Sequence, residues 1–295
     1  MGVREQMRSI KLLEEVTVRL LRMAATGLPE DVLEALRRAE KEETTEVART
    51  QLRAILSNID SADRLMLPLC QDTGIPIFFV RGACLPHLEE GIRRGVSRAT
   101  SEVPLRPNVV HPLTRHNPGD NLGKGMPLVH FEPADVDYTE ITVLPKGAGS
   151  ENMSSLAMLT PSQGLRGIKE FVLDTVIRAG GNPCPPTIVG LGIGGSADQA
   201  AYLSKKALLR PLDRENPEAS LAALEKELHH ALNATGIGPM GLGGKTTVLG
   251  VRAEMSHCHT ASLPVAVNLQ CWAARRATAR IMKDGNVAYS KEGFD

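Results

Sequence analysis

A short stretch, Pro68 to Val80, places three polar side chains directly in front of an apolar run. The run from Ile75 to Val80 is short, β-branched and aromatic, which predicts a buried strand. Cys70, Gln71 and Asp72 come before it, separated from it by a Thr-Gly turn signal. An amide and a carboxylate are costly to bury without partners, so we expect this triplet on a turn at the mouth of a cleft. For a single triplet of this kind, a surface turn with a small buried cysteine is the more common structure.

Apolar periodicity divides the chain into a helical beginning and a mixed remainder. It predicts helices over residues 9–27, from Leu28 onwards and over 44–58. Strands are predicted near 75–80, 127–132, 138–145, 187–193 and 246–254, and helices near 87–101, 162–180, 196–210 and 217–234. No internal repeat and no linker divides the sequence. We therefore predict an α+β fold, with a helical N-terminal region followed by mixed α/β segments, and one domain over residues 1–295.

The balance of charge argues against two large classes of partner. Lysine plus arginine and aspartate plus glutamate number 34 each, so neither nucleic acid nor an anionic membrane is expected as the main partner. Aromatic residues make up 3% of the chain, which argues against stacking platforms for bases or sugars. Any positive charge that binds an anion must therefore be local.

The N-terminus and the cysteine count indicate the cytoplasm. The first residues mix both signs of charge and lack the apolar region of a signal peptide. No run approaches the ~18 consecutive apolar residues of a membrane span. Five cysteines in a chain without an export signal argue against a disulfide framework. The thiols are then expected to be structural, reactive or metal-binding.

The segment 102–126 is irregular and rich in proline, glycine and asparagine. A loop of this length inside a globular chain is either functional or disordered. Its cationic and titratable side chains are Arg106, His111, Arg115, His116 and Lys124. These are the candidates for binding an anion.

Three of the cysteines stand at the edges of apolar segments. Cys70, Cys184 and Cys271 lie in a polar turn, in a proline-rich turn and shortly before a pair of arginines. If they converge, three thiolates can hold an iron–sulfur cluster with one ligand position open. Their separations carry no local motif, and three unrelated buried cysteines would ordinarily be the better explanation. Cys84, beside Leu-Pro, is predicted to be a packed thiol.

Two further patterns leave alternatives open. His257, Cys258 and His259 are consecutive and could bind zinc, although adjacent side chains point in different directions and no CxxC partner exists. Glycine-rich turns occur at KGAGSEN, GLGIGGSAD and GIGPMGLGGK, and none of them is a P-loop. Such turns let backbone N–H groups approach an anion, but tight turns between packed elements are about as common.

Four motifs occur in order along the chain: PLCQDTG, KGAGSEN, CPP followed by a strand and IGGSAD, and HTASLPVAVNLQCWAARR. Together they resemble the iron–sulfur (class I) fumarate hydratase family, which includes L-tartrate dehydratase, from about residue 10 onwards. The chain looks like the α subunit of the two-subunit branch, because single-chain members continue with a further domain whereas this sequence stops at Asp295. The resemblance implies a partner β subunit, with two copies of each chain, and a small dicarboxylate substrate.

The resemblance also implies roles for particular residues. A [4Fe-4S] cluster would be held by Cys70, Cys184 and Cys271 on loops at strand and helix ends, with the fourth iron open to substrate. Gln71, Asp72 and His259 match active-site positions of the family, and Arg106, Gly147 and Gly149 match substrate-binding ones. Arg275 and Arg276 either add positive charge near the cluster or form structural salt bridges.

The expected reaction is the reversible hydration of fumarate to (S)-malate. Dehydration of tartrate to oxaloacetate is the first alternative, since one extra hydroxyl group can be distinguished by one or two side chains. An electron-transfer or iron-sensing protein that uses the same three cysteines is a third possibility. Binding of a substrate analogue that shifts the cluster spectrum would distinguish the enzyme from that protein.

Overall fold

The computed structural model describes residues 3–83, 85–103 and 105–294, and for residues 3–5 it describes the backbone only. Cys84, predicted to be a packed thiol, lies outside the described residues. No helix in the described part of the chain is long and apolar enough to cross a membrane.

The chain forms two units. Unit 1 consists of Met1–Glu30, Asn58–Gly147 and Arg275–Asp295, and unit 2 consists of Asp31–Ser57 and Ala148–Ala274. The prediction of a single catalytic domain over residues 1–295 stays a prediction.

Unit 1 is built on a five-stranded sheet. Its strands are β1 (Ile75–Gly82), β2 (Leu128–Pro133), β3 (Tyr138–Lys146), β8 (Ala277–Met282) and β9 (Val287–Ser290), in the order β2-β1-β3-β8-β9. Only the β1–β2 pair is parallel. Helices α1 (Val3–Thr26) and α4 (Leu88–Glu102) pack together, and their apolar faces share a core with β1, β3 and β8.

Unit 2 is built on a four-stranded sheet covered by helices on both faces. Its strands are β4 (Ser155–Leu159), β5 (Thr187–Ile193), β6 (Val248–Met255) and β7 (Leu263–Gln270), in the order β4-β7-β5-β6. The helices α5 (Ala148–Glu151), α6 (Gly164–Ala179), α7 (Ala197–Ala207) and α8 (Ala219–Asn233) follow in chain order.

One face of this sheet is covered by α7 and the other by α6 and α8. A Cβ added at Gly190 or Gly192 would lie 2.1 or 2.0 Å from backbone oxygens of α7, so only glycine allows the helix to approach β5 this closely. Apolar residues of the opposite face, such as Val189 and Leu191, form a core with α6 and α8.

Two remaining helices, α2 (Glu30–Glu42) and α3 (Glu46–Leu65), complete the helical N-terminal region. The α+β prediction is confirmed, with a helical beginning followed by mixed sheets. The strand predicted over 187–193 has the observed bounds, whereas α1 and α3 extend further than the apolar spacing indicated. The strands β4, β7, β8 and β9 are not predicted by the sequence pattern.

Candidate active site

The turn that carries Cys70 is anchored in unit 1 just before the cysteine. The Leu69 N–H donates to the Ala25 carbonyl at 2.8 Å, and the Asn58 side-chain amide donates to the Leu69 carbonyl at 2.9 Å. Cys70 is partly exposed and Gln71 is exposed. The polar triplet thus lies on an accessible turn before β1, as its composition predicts.

The Asp72 carboxylate is oriented by two donors. Its Oδ1 accepts hydrogen bonds from the Gly74 N–H at 2.9 Å and from the Asn108 side-chain amide at 3.3 Å. The same Asn108 amide donates to the Gly74 carbonyl at 3.1 Å, so it holds both ends of the turn. Oδ2 points towards Gly147, where an added Cβ would lie 3.1 Å away. Gly147 therefore leaves room for the carboxylate.

The Gly147→Ala variant tests this arrangement. The added methyl group must displace the Asp72 carboxylate by a few tenths of an ångström, and a misplacement of about 1 Å can cost a hundredfold in rate. We expect kcat/KM of the assembled enzyme to fall by about tenfold with unchanged iron content. Gly123→Ala is the matched control, since its Cβ would make an ordinary 3.5 Å contact with Val109. Equal kinetics of the two variants would show that Asp72 does not need this position.

The segment that begins at Arg106 is fixed beside the same turn. The Arg106 N–H donates to the Thr73 hydroxyl at 2.9 Å. Asn121, which is buried with φ 59°, accepts from the Asn108 N–H at 2.7 Å and donates to the Arg106 carbonyl at 3.0 Å. An asparagine tolerates this left-handed conformation better than most residues. The backbone of Arg106 is therefore hydrogen-bonded to Thr73, the residue that follows Asp72.

The Arg106 side chain is exposed and makes no ion pair with another described residue. Its fork of donors suits a carboxylate. The other candidates from this loop, His111, Arg115, His116 and Lys124, are also exposed, but no hydrogen bond in the described part of unit 1 ties them to the Cys70–Asp72 turn.

Replacement of Arg106 by alanine is expected to weaken substrate binding. A lost charge-assisted hydrogen bond costs about 1.5–3 kcal/mol, which corresponds to roughly a tenfold to hundredfold fall in kcat/KM. Steady-state kinetics of the assembled enzyme measure this fall in kcat/KM. Lys124→Ala, which removes an exposed cation of the same loop, is the control. If Arg106→Ala keeps wild-type kinetics with full iron content, Arg106 is not in the site.

Arg275 also contacts this turn. Its Nη2 donates to the Asp72 carbonyl at 2.9 Å, and the side chain is 1% exposed. Its Nε and Nη1 atoms have no acceptor in the described part of the chain. A neutral donor left unmet in the interior costs about 1–3 kcal/mol, and a charged one costs more.

Arg276 acts on the carboxylate of Glu292. Burial acts to raise the pKa of Glu292, but the pKa lies below its usual value because hydrogen bonds, including one from the Glu30 N–H, and the charge of Arg276 act in the other direction. The two neighbouring arginines therefore have different roles. Arg275 contacts the Cys70–Asp72 turn, and Arg276 lowers the pKa of the Glu292 side chain.

In unit 2, Cys184 and Cys271 lie at the same end of the sheet. The Trp272 N–H donates to the Cys184 carbonyl at 3.2 Å, and β7 ends at Gln270, opposite Ile188 of β5. Both cysteines are partly exposed, and neither forms a disulfide bond with a described residue. Cysteine thiols on loops at strand ends are the donor chemistry that an iron–sulfur cluster requires.

The same end of unit 2 holds Gly149 and a partly buried polar network. A Cβ on Gly149 would lie 3.3 Å from the carbonyl of Asn182, two residues before Cys184. Glu151 pairs with Lys205 of α7 and accepts from Asn268 of β7 at 3.0 Å. This network fixes α5 against the sheet, next to the predicted substrate turn.

His259 lies at the opposite end of β7 from Cys271. The β6–β7 connection that contains it is exposed, and it is tied to the far end of β5 by a hydrogen bond from the Gly195 N–H to the His257 carbonyl. The strand between them spans seven residue steps, or about 23 Å at the usual rise of about 3.3 Å per residue. Within unit 2, His259 is therefore not brought to Cys184 and Cys271.

A zinc site on His257, Cys258 and His259 gains no support. The side chains of residues 257–259 are not grouped closely enough to hold a metal ion. Such a site needs its ligands within one coordination sphere. The Cys258 thiol instead donates to the Ser262 carbonyl at 3.2 Å, and the His259 Nδ1 accepts from the Ala261 N–H at 3.1 Å.

Comparison with known proteins identifies the family. Residues 14–280 match the family model described as fumarate hydratase (fumerase). The chain is 50% identical over 283 residues to a Methanocaldococcus jannaschii protein named "Putative L(+)-tartrate dehydratase subunit alpha", covering 93% of this chain and 99% of that protein. It is 35% identical over 289 residues to the L(+)-tartrate dehydratase subunit alpha of Escherichia coli K12, covering 96% and 95%. This chain belongs to the fumarate hydratase family of hydro-lyases, and it is of the α-subunit type.

Proposed function

We propose that this chain is the α subunit of a cytoplasmic two-subunit hydro-lyase that dehydrates L(+)-tartrate to oxaloacetate. The observation that carries the substrate is the 50% identity to a relative of that printed name, over nearly all of both chains. Hydration of fumarate to (S)-malate, which the sequence analysis ranked first, is the second candidate, and the description of the family model favours it. The two reactions share one chemistry.

The proposed cofactor is a [4Fe-4S] cluster on Cys70, Cys184 and Cys271. All three lie outside helices and strands, all three are partly exposed, and none forms a disulfide bond with a described residue. When bound, a cluster with one iron free of thiolate supplies a Lewis acid for a departing hydroxyl group.

The residues of the Cys70–Asp72 turn and its neighbours supply the remaining functions. Asp72 takes part in proton transfer at the carbon next to a substrate carboxylate, with Oδ1 held by Gly74 and Asn108 and Oδ2 facing Gly147. Gln71, exposed beside it, hydrogen-bonds the substrate. Arg106 binds one substrate carboxylate, and the glycines at 147 and 149 allow the substrate to approach the backbone.

His259 stays a prediction based on the family resemblance. His259 lies before the start of β7, whereas Cys271 follows the end of that strand, so the two side chains are not close to each other. A substrate contact by His259 would require neighbours other than Cys184 and Cys271, which lie beyond the other end of β7.

The proposed partner is a β subunit, in a complex with two copies of each chain. The word "alpha" in the names of the relatives supports a second kind of subunit. In the family resemblance, further arginines, a lysine and a threonine that acts with Asp72 come from that second part.

An assay of the anaerobically reconstituted α–β complex tests the function. L(+)-tartrate, D(−)-tartrate, fumarate, (S)-malate and mesaconate are compared by kcat/KM, with the Cys184→Ser complex as the blank. We expect L(+)-tartrate to be the best substrate, because a site built to hydrogen-bond a second hydroxyl group discriminates strongly against analogues that lack it. A higher kcat/KM for fumarate would establish the second candidate. No turnover of any diacid by a fully loaded complex would reject both.

A further inference from the structure

Arg275 is a buried cation whose hydrogen bonding is incomplete. Its side chain is 1% exposed, its Nη2 donates to the Asp72 carbonyl at 2.9 Å, and its Nε and Nη1 have no acceptor among the described residues. We propose that Arg275 is a positioning residue of the iron–sulfur site: it holds the turn that carries Cys70, and its remaining donors and positive charge serve the anionic cluster. This inference rests on the proposed function.

Arg275 provides the central anchor of the turn that carries Cys70. The near side of this turn is anchored at Leu69, through Ala25 and Asn58, and its far side at Gly74, through Asn108. The bond from Arg275 to the carbonyl of Asp72 is an anchor between these two, and it comes from a residue 203 positions away in the chain. Loss of the guanidinium would therefore loosen the segment between Cys70 and Asp72 while leaving both flanks in place.

Arg275 also lacks a counter-charge among the described residues. No carboxylate in the described part of the chain pairs with Arg275, although a cation this deeply buried normally has a counter-ion. A [4Fe-4S] core with a charge of plus two, held by three thiolates of charge minus one each, carries a net negative charge. An anion on Cys70 therefore supplies both the missing counter-charge and the missing acceptors. Charge and hydrogen bonding around a cluster set its reduction potential, so Arg275 is expected to raise it.

Arg252 provides a matched control, because it is a buried arginine with a purely structural environment. It is 8% exposed, and its Nε and Nη1 donate to the carbonyls of Pro211 and Val251 at 3.1 and 2.9 Å. Its Nη2 donates to the carbonyl of Leu212, and Glu225 supplies a counter-charge at 3.5 Å. The donors of Arg252 are met within unit 2.

The experiment compares α–β complexes that contain wild-type α chain, Arg275→Lys, Arg275→Gln or Arg252→Gln. Three quantities are measured anaerobically: iron per complex, the rate of iron loss to a chelator, and the midpoint potential of the cluster by EPR-monitored titration. For Arg275→Gln we expect a lower midpoint potential and iron loss faster on the order of tenfold. Arg275→Lys keeps the charge but not the fork, so the potential should stay near wild type while iron loss still accelerates. Arg252→Gln should lower the melting temperature and leave the potential unchanged.

The outcomes separate this inference from the proposed function. If wild-type complex takes up no cluster, the proposed function fails. If wild type loads normally and Arg275→Gln keeps the wild-type potential and iron retention, Arg275 is a packing residue and the inference is overturned. If Arg275→Gln does not fold, Arg275→Lys decides, because unchanged iron loss in that variant also overturns it.

Discussion

Serine in place of Cys70, Cys184 or Cys271 should abolish both the anaerobic iron–sulfur chromophore and the hydro-lyase activity. Iron–sulfur clusters are held by soft thiolates, which a serine hydroxyl does not replace. Lewis-acid assistance by a metal contributes several kcal/mol, so its loss lowers the rate by roughly a thousandfold or more. The measurements are the visible absorbance and iron content of the anaerobically purified complex, together with kcat.

Cys258→Ser is the matched control for this series. The Cys258 thiol is exposed and donates to a carbonyl four residues away, at the opposite end of β7 from Cys271. A serine hydroxyl can make the same hydrogen bond, so chromophore and activity should both be retained. Cys84→Ser should likewise retain most of both. Loss of the cluster in Cys258→Ser, together with its retention in Cys271→Ser, would overturn the assignment of ligands.

The second large effect is expected from leaving out the β subunit. The isolated α chain should bind a cluster and yet turn over substrate at background rate, and addition of the β chain should restore activity. A dicarboxylate needs cationic donors at both ends, and Arg106 is an exposed cation whose backbone is fixed beside the Cys70–Asp72 turn. A second subunit would also exclude water from the site.

This expectation is measured by titrating purified β chain into loaded α chain under anaerobic conditions. Activity should rise with β chain and saturate at a fixed ratio of the two. The control is α chain that carries Cys184→Ser, which should stay inactive at every ratio. Robust turnover by rigorously purified wild-type α chain would place the whole acid–base apparatus within residues 1 to 295.

Local patterns in the sequence were sufficient for the elements whose burial is regular. The β5 run is apolar throughout and bounded by proline and glycine, so it was predicted with its observed bounds. β7 was missed because LPVAVNLQ contains a proline, an asparagine and a glutamine, which are unusual in a central strand. The side-chain amide N–H groups of Asn268 are accommodated by tertiary contacts, since they donate to Glu151 and Ser154.

The contacts that orient Asp72 and its turn could not be found from the sequence, which named Arg275 only as a charge near the cluster or a salt-bridge partner and did not name Asn108 or Asn121. Asn108, Asn121 and Arg275 lie 36, 49 and 203 positions from Asp72, and no periodicity links them to the Cys70–Asp72 turn. Asn121 had a weak signal, since it stands in a glycine-rich turn where asparagine often adopts positive φ. Their hydrogen bonds form only when the long loop and the segment after Cys271 fold back onto β1.

The sequence by itself determined the family, the α+β class and the three candidate cysteines, because these depend on residue types in local motifs. Only the tertiary structure decided which of these motifs meet. Cys184 and Cys271 are 87 positions apart and lie together, because β5 and β7 pair in antiparallel register. His259 and Cys271 are 12 positions apart in the chain but lie beyond opposite ends of β7, which is about 23 Å long because the strand is extended. A strand thus carries residues that are close in the chain far apart, whereas strand pairing and side-chain hydrogen bonds bring remote residues together.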